Sequence, residues 1–171
     1  AGTVAVGNGA QATADGSTSM GNFANASGGS SVALGSRALA SQANGVALGY
    51  SAQSTAISGI ALGQASKATA NFATAVGVGA QATIANSVAL GTNSVTTVNA
   101  GAVGYDPLTA TTSTSTDSTW KATTAAVSVG NGTTLTRQIT SVAAGTNDTD
   151  AVNVAQLKKA SIKPEVVAGT N

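Results

Sequence analysis

Along the first hundred residues, apolar and polar positions alternate in short bursts, and every second burst closes on a glycine. Gly7, Gly21, Gly35, Gly49, Gly63, Gly77 and Gly91 follow one another at fourteen-residue steps without a slip. The residue before each is bulky and apolar (Val6, Met20, Leu34, Leu48, Leu62, Val76, Leu90), and the residue three before is β-branched (Val4, Thr18, Val32, Val46, Ile60, Thr74, Val88). Between these columns runs one of small side chains: Ala5, Ser19, Ala33, Ala47, Ala61, Ala75 and Ala89. The columns three and five places after the glycine also stay small, from Ala10 and Ala12 to Ser94 and Thr96. A period of two on both sides of a glycine is the pattern of two short strands. A helix would need apolar positions three and four apart and would not tolerate a glycine in every copy. Each copy therefore predicts one coil: strand, tight turn at glycine, strand, return turn. Only glycine reaches the backbone angles of such a corner without penalty. Stacked coils pair like strand with like strand in parallel. At about 4.8 Å per coil, seven copies make a rod roughly 34 Å long. The predicted fold class is all-β, a parallel roll of fourteen-residue coils over residues 1–104.

So thin a coil buries little, which predicts association with further copies of the same chain. With the Val and Leu columns taken as filling the interior, the small stripe from Ala5 through Ala33, Ala47, Ala61 and Ala75 to Ala89 is expected to face outward and to pack against sister chains, since small residues let backbones approach closely.

Composition narrows the chemistry. Charged residues make up 8% of the 171 residues, aromatic residues 3%, and the net charge is +1. Arg37 and Lys67 are the only basic residues before position 105, too few to track a phosphate backbone, so nucleic acid is not a partner. The absence of His and Cys removes the usual zinc ligands, thiol nucleophiles and imidazole bases; no enzyme activity and no cofactor are expected. Calcium-binding rolls need an Asp in each repeat, whereas Asp15 is the only acid before Asp106. Ice binding fails because the column four after each glycine (Gln11, Asn25, Leu39, Gln53, Lys67, Gln81, Val95) breaks any Thr array. No run of about 18 apolar residues offers a membrane-spanning helix.

At position 105 the repeat meets Tyr105 in place of glycine, and nine of the eleven residues from Thr109 to Thr119 are Ser or Thr, the composition of a solvated loop. Residues 105–135 read as an insert. In it, Val127, Val129, Leu135 and Ile139 flank Gly130-Asn131-Gly132 like a hairpin, with Trp120 as a buried anchor against the end of the roll. Asp148, Thr149 and Asp150 open a short helix that closes on Lys158 and Lys159, charges suited to the two ends of a helix dipole. Val154 and Leu157 have the spacing of coiled-coil core positions, and so short a helix needs partners. Pro164 stops it, and residues 161–171 look like the start of a further β module.

The Val-Ala-Leu-Gly copies, most fully Asn86-Ser87-Val88-Ala89-Leu90-Gly91, resemble the head repeats of trimeric autotransporter adhesins of the Yersinia adhesin type. The segment from Thr136-Arg137-Gln138-Ile139 through Ala144-Gly145-Thr146-Asn147 to Gln156-Leu157-Lys158 resembles the neck that joins such heads to their stalks, and 105–135 is similar to their head insert. The resemblance implies a left-handed parallel β-roll in a homotrimer over 1–104, a neck with a short coiled coil over 136–160, and Val154 and Leu157 in its trimer core. It also implies display on the outer membrane of a Gram-negative bacterium, with the membrane anchor in a part of the protein outside this chain. The implied partners are the chain itself and a host matrix protein or cell-surface receptor, collagen among them. The alternative is a rigid spacer that displays other adhesive domains.

Overall fold

A computed structural model describes residues 2–160; the β module expected over 161–171 lies outside them. The chain divides into two units, Ala1–Arg137 and Gln138–Asn171. The first is a parallel β-solenoid, as the fourteen-residue spacing predicts. Its three-residue strands, Val4–Val6, Thr18–Met20, Val32–Leu34, Val46–Leu48, Ile60–Leu62, Thr74–Val76 and Val88–Leu90, stack in one sheet. Two-residue strands from Gln11–Ala12 to Gln81–Ala82 stack in a second sheet of six. Register follows the repeat: Val32, Ala33 and Leu34 pair with Val46, Ala47 and Leu48.

The interior reverses the expected sides. Ala33, Ala47, Ala61, Ala75 and Ala89 are wholly buried, as are Ala26, Ala40, Ala68 and Ala82 from the opposite strands and Ala24, Ala52 and Ala80 just before them. The small stripe is the core, and the Val and Leu columns on either side of it point out. The reason is width. Facing sheets that interdigitate large side chains lie about 10 Å apart, whereas strands of two or three residues joined by tight turns hold their backbones closer. Only Ala, Ser and Gly fit between them. Several buried hydroxyls return to nearby carbonyls, as where Ser54 Oγ donates to Gly59 O at 2.7 Å, Ser66 Oγ to Gly63 O at 2.8 Å and Ser87 Oγ to Ile84 O at 2.6 Å, whereas Ser19 Oγ and Ser31 Oγ are buried without a partner.

The seven repeat glycines all take positive φ, from 103° to 137°. A Cβ on Gly35 would lie 2.6 Å from the carbonyl oxygen of Gly49, so the corner needs glycine both for its angle and for the closeness of the coil above. Two further left-handed positions recur, two and nine residues after the glycine. They are filled by ordinary residues such as Phe23, Arg37 and Ser51, or Ser30, Asn44 and Phe72, at φ of 53–60°. Coil-to-coil hydrogen bonds hold these turns, as where Arg37 N donates to Asn22 O at 2.9 Å.

The roll does not end at 104. Val127–Ser128 adds an eighth strand to the larger sheet, Val127 opposite Val88 and Ser128 opposite Ala89. Val127-Ser128-Val129-Gly130 is thus another copy of the strand-and-glycine motif, and Val95 N donates to Gly130 O at 2.7 Å. The hairpin expected around Gly130-Asn131-Gly132 does not form. Asn131 Oδ1 instead accepts from the backbone N–H groups of Thr133, Thr134 and Leu135 and folds a tight loop. The residues between form the insert, which carries an antiparallel pair, Tyr105–Asp106 with Thr111–Thr112, and a bridge from Val103 to Lys121.

In the second unit the helix is Val154–Ala160, which starts later than its lead of Asp148, Thr149 and Asp150 predicts. Asn153 caps it: Gln156 N donates to Asn153 Oδ1 at 3.0 Å, and Asn153 N donates back to Gln156 Oε1 at 3.2 Å. This is a reciprocal capping box. Asp150 is occupied elsewhere, accepting from the N–H groups of Thr146 and Asn147, both at 2.9 Å.

Candidate assembly and contact faces

Alternation along each strand turns alanine inward and its two neighbours outward. On the larger sheet those neighbours are Val4, Val32, Val46, Ile60 and Val88 in one column and Val6, Met20, Leu34, Leu48, Leu62, Val76 and Leu90 in the other. Thr18 and Thr74 are the only interruptions. These side chains stay partly or largely open; Leu90 keeps 46% of its surface exposed. A continuous apolar face of this length on a single chain marks an interaction surface.

The outer face of the smaller sheet is different in kind. Gln11, Asn25, Leu39, Gln53, Lys67 and Gln81 form one column, and Thr13, Ser27, Ser41, Thr55, Thr69 and Thr83 the other. This is a mainly polar, repetitive surface, with Lys67 its one charge and Leu39 its one large apolar residue. The roll thus carries an apolar face and a polar face back to back, divided by a core of alanine.

The end of the roll has its own closure. Arg137 reaches back over the last repeat glycine: its guanidinium donates to Thr92 O at 2.5 Å, to Ser94 Oγ at 2.9 Å and to Val129 O. No feature of the repeat singled this residue out. The only sequence signal is that Arg137 falls where an eighth coil runs out.

The remaining predicted positions lie as follows. Trp120 packs beside Gly104 but keeps 37% of its surface exposed, so the chain by itself does not bury it. The backbone closes that part of the insert instead, through Gly104 N to Trp120 O at 2.7 Å. Val154 and Leu157 are 66% and 64% exposed, and no residue of the helix is buried. Val154, with Ile139, Val142 and Val152, lines an open groove in the neck whose other walls include Gln138, Thr140, Ser141 and Asn153. Hydrogen bonds from the Thr146 and Asn147 backbone favour the ionised Asp150 carboxylate and hold its pKa below the ordinary value, the bond from Asn147 contributing most. Asp117 is lowered in the same way, first by the Ser115 hydroxyl and then by the Thr119 backbone.

Comparison with known proteins agrees with this division. Residues 1–24, 26–52, 54–80 and 73–94 match a family model described as "YadA head domain repeat (2 copies)", and residues 138–162 match one described as "Coiled stalk of trimeric autotransporter adhesin". The chain is 58% identical over 67 residues to autotransporter adhesin BadA of Bartonella henselae; the match covers 39% of this chain and 2% of that much longer protein. Among solved structures it is similar to the collagen-binding domain of the Yersinia adhesin YadA, with a TM-score of 0.69 and 36% identity over 92% of this chain and 73% of that one. A solenoid of fourteen-residue coils, in a chain matched by head-repeat models over more than half its length and by a stalk model after them, places the chain in the family of trimeric autotransporter adhesins, with a YadA-type head and a stalk-type segment.

Proposed function

We propose that the chain is the contact-making head of a homotrimeric adhesin held at the bacterial outer membrane by a segment outside these residues. The observation that carries this is the separation of the two outer faces. Apolar columns Val4 to Val88 and Val6 to Leu90 are covered by sister chains, and the Gln/Thr face of the smaller sheet remains turned outward. Val154 and Leu157 then form the core of a three-stranded coiled coil, which closes the neck groove. Adhesion works through repetition: a mainly polar face recurring along each roll and on three rolls gives many weak contacts that act together. No catalytic step is needed. The ligand class is a host matrix protein or cell-surface receptor, and collagen heads the list because the similar solved structure is a collagen-binding domain.

A binding panel of matrix proteins on the purified fragment tests the proposal, with Leu157→Asp alongside. Binding by the trimer, lost with assembly in Leu157→Asp, is the expected result. A fragment that assembles as a trimer and binds nothing would instead be a spacer for other adhesive domains. Undiminished binding by monomeric Leu157→Asp would refute the multivalent mechanism.

A further inference from the structure

The two edges of the roll carry bulky apolar residues that the coil itself does not require. On the return-turn edge these are Ile57, Phe72 and Val98, all exposed, with half-buried Ile84 between the last two. That is one per coil over four successive coils. The first three coils build the same turn from Ala14-Asp15-Gly16, Gly28-Gly29-Ser30 and Gln42-Ala43-Asn44, so nothing in the fold asks for large side chains there. Phe72 moreover sits at φ 59°, a region costly for a bulky residue, with its ring turned to solvent. On the opposite edge, just after the repeat glycines, Phe23, Tyr50 and Val78 are likewise exposed. Tyr50 and Val78 stand at the heights of the first set, while Phe23 lies below it with its ring over Gly9. Tyr50 and Ile57 are half a coil apart, about 2.4 Å at the usual strand spacing, and Val78 stands six residues after Phe72 and six before Ile84.

We propose that these edges form a heterologous seam between neighbouring chains, the glycine-side edge of one roll packing against the return-turn edge of the next. This rests on the trimer proposed above. Three parallel, in-register rolls with their larger sheets turned inward bring unlike edges together around a ring, and a ring contact of unlike surfaces closes on itself. The occupant is a second copy of this chain, because both ridges border the apolar columns of the larger sheet and extend that face without a break. Tyr50 packs beside Ile57 of the next chain, and Val78 beside its Phe72 and Ile84. The seam disfavours a slip of one coil toward the first repeats, which would set Tyr50 against the Gln42-Ala43-Asn44 turn.

The chain has no cysteine, so engineered cross-links read out cleanly. The double variants Tyr50→Cys with Ile57→Cys, and Val78→Cys with Phe72→Cys, are made in the whole 171-residue chain, weighed by light scattering and mildly oxidised. The expected result is a trimeric mass in solution and a covalent trimer on a non-reducing gel, with each single variant at single-chain mass. A trimeric mass with only single-chain bands for both pairs overturns the seam while the trimer stands, leaving the ridges open to an outside ligand. A monomeric mass for the unsubstituted chain overturns both.

Discussion

The guanidinium carbon of Arg137 lies 3.0 Å from where a Cβ on Gly91 would be, a place that Gly35 and the other corners give to the backbone of the next coil. One side chain thus stands in for a missing turn. It supplies donors to carbonyls that a further coil would have satisfied, at the end of a parallel ladder where unpaired groups would otherwise invite other strands.

Replacing it should therefore loosen the whole roll from that end. Arg137→Met is expected to cost about 1.5–3 kcal/mol, the range for hydrogen bonds to charged groups, with Arg137→Lys recovering only part. Thermal melts of the three proteins at one fixed concentration check this; equal midpoints would show the cap to be idle.

Ala47 and Leu48 are neighbours with opposite duties, one sealed in the core and the other open on the apolar face. Ala47→Leu overfills an interior with no slack and should lose about 1–3 kcal/mol, with the loss independent of protein concentration. Leu48→Ala leaves the core intact and weakens association, so its melting point should fall and become more concentration-dependent. Melts across a hundredfold dilution series separate the two; matching behaviour would restore the alanine stripe as the outer surface.

Gly35→Ala meets two obstacles, φ of 128° and the Gly49 carbonyl. The backbone angle alone costs roughly 1–3 kcal/mol. Ser36→Ala, one residue on, should be near neutral. Urea unfolding of the pair measures the difference, and a Gly35→Ala protein as stable as Ser36→Ala would mean the coils can move apart at little cost.

Asp150 gives the neck a pH dependence of definite sign. Its folded-state pKa is lowered by the Asn147 and Thr146 N–H groups, so its contribution is complete above the unfolded value of about 3.9 and is lost as pH falls through the lower folded value. Hydrogen exchange at the Thr146 and Asn147 amides should stay protected down to about pH 4 and accelerate below it. Asp150→Asn should remove that acid step while leaving the roll unchanged.

Much of this protein was legible in one dimension. A glycine at every fourteenth position, flanked by period-two columns, determines a parallel stack, because only superposed coils put like residues over like and only glycine bears those corners. What the columns could not tell was which of them face inward. Alternation assigns Ala47 and Leu48 to opposite sides but does not say which side is the core, and the usual expectation that the larger side chain goes inside fails here. The distance between the two sheets decides it, and that distance is a property of the closed coil, set by strands of two or three residues between tight turns. The eighth copy, Val127-Ser128-Val129-Gly130, escaped the repeat for a related reason. The insert displaces it along the sequence, and only parallel pairing with Val88–Leu90 returns it to its column. The helix start shows the same division: several residues from Asp148 onward have the chemistry of a cap, and the backbone bonds that occupy Asp150 leave the role to Asn153.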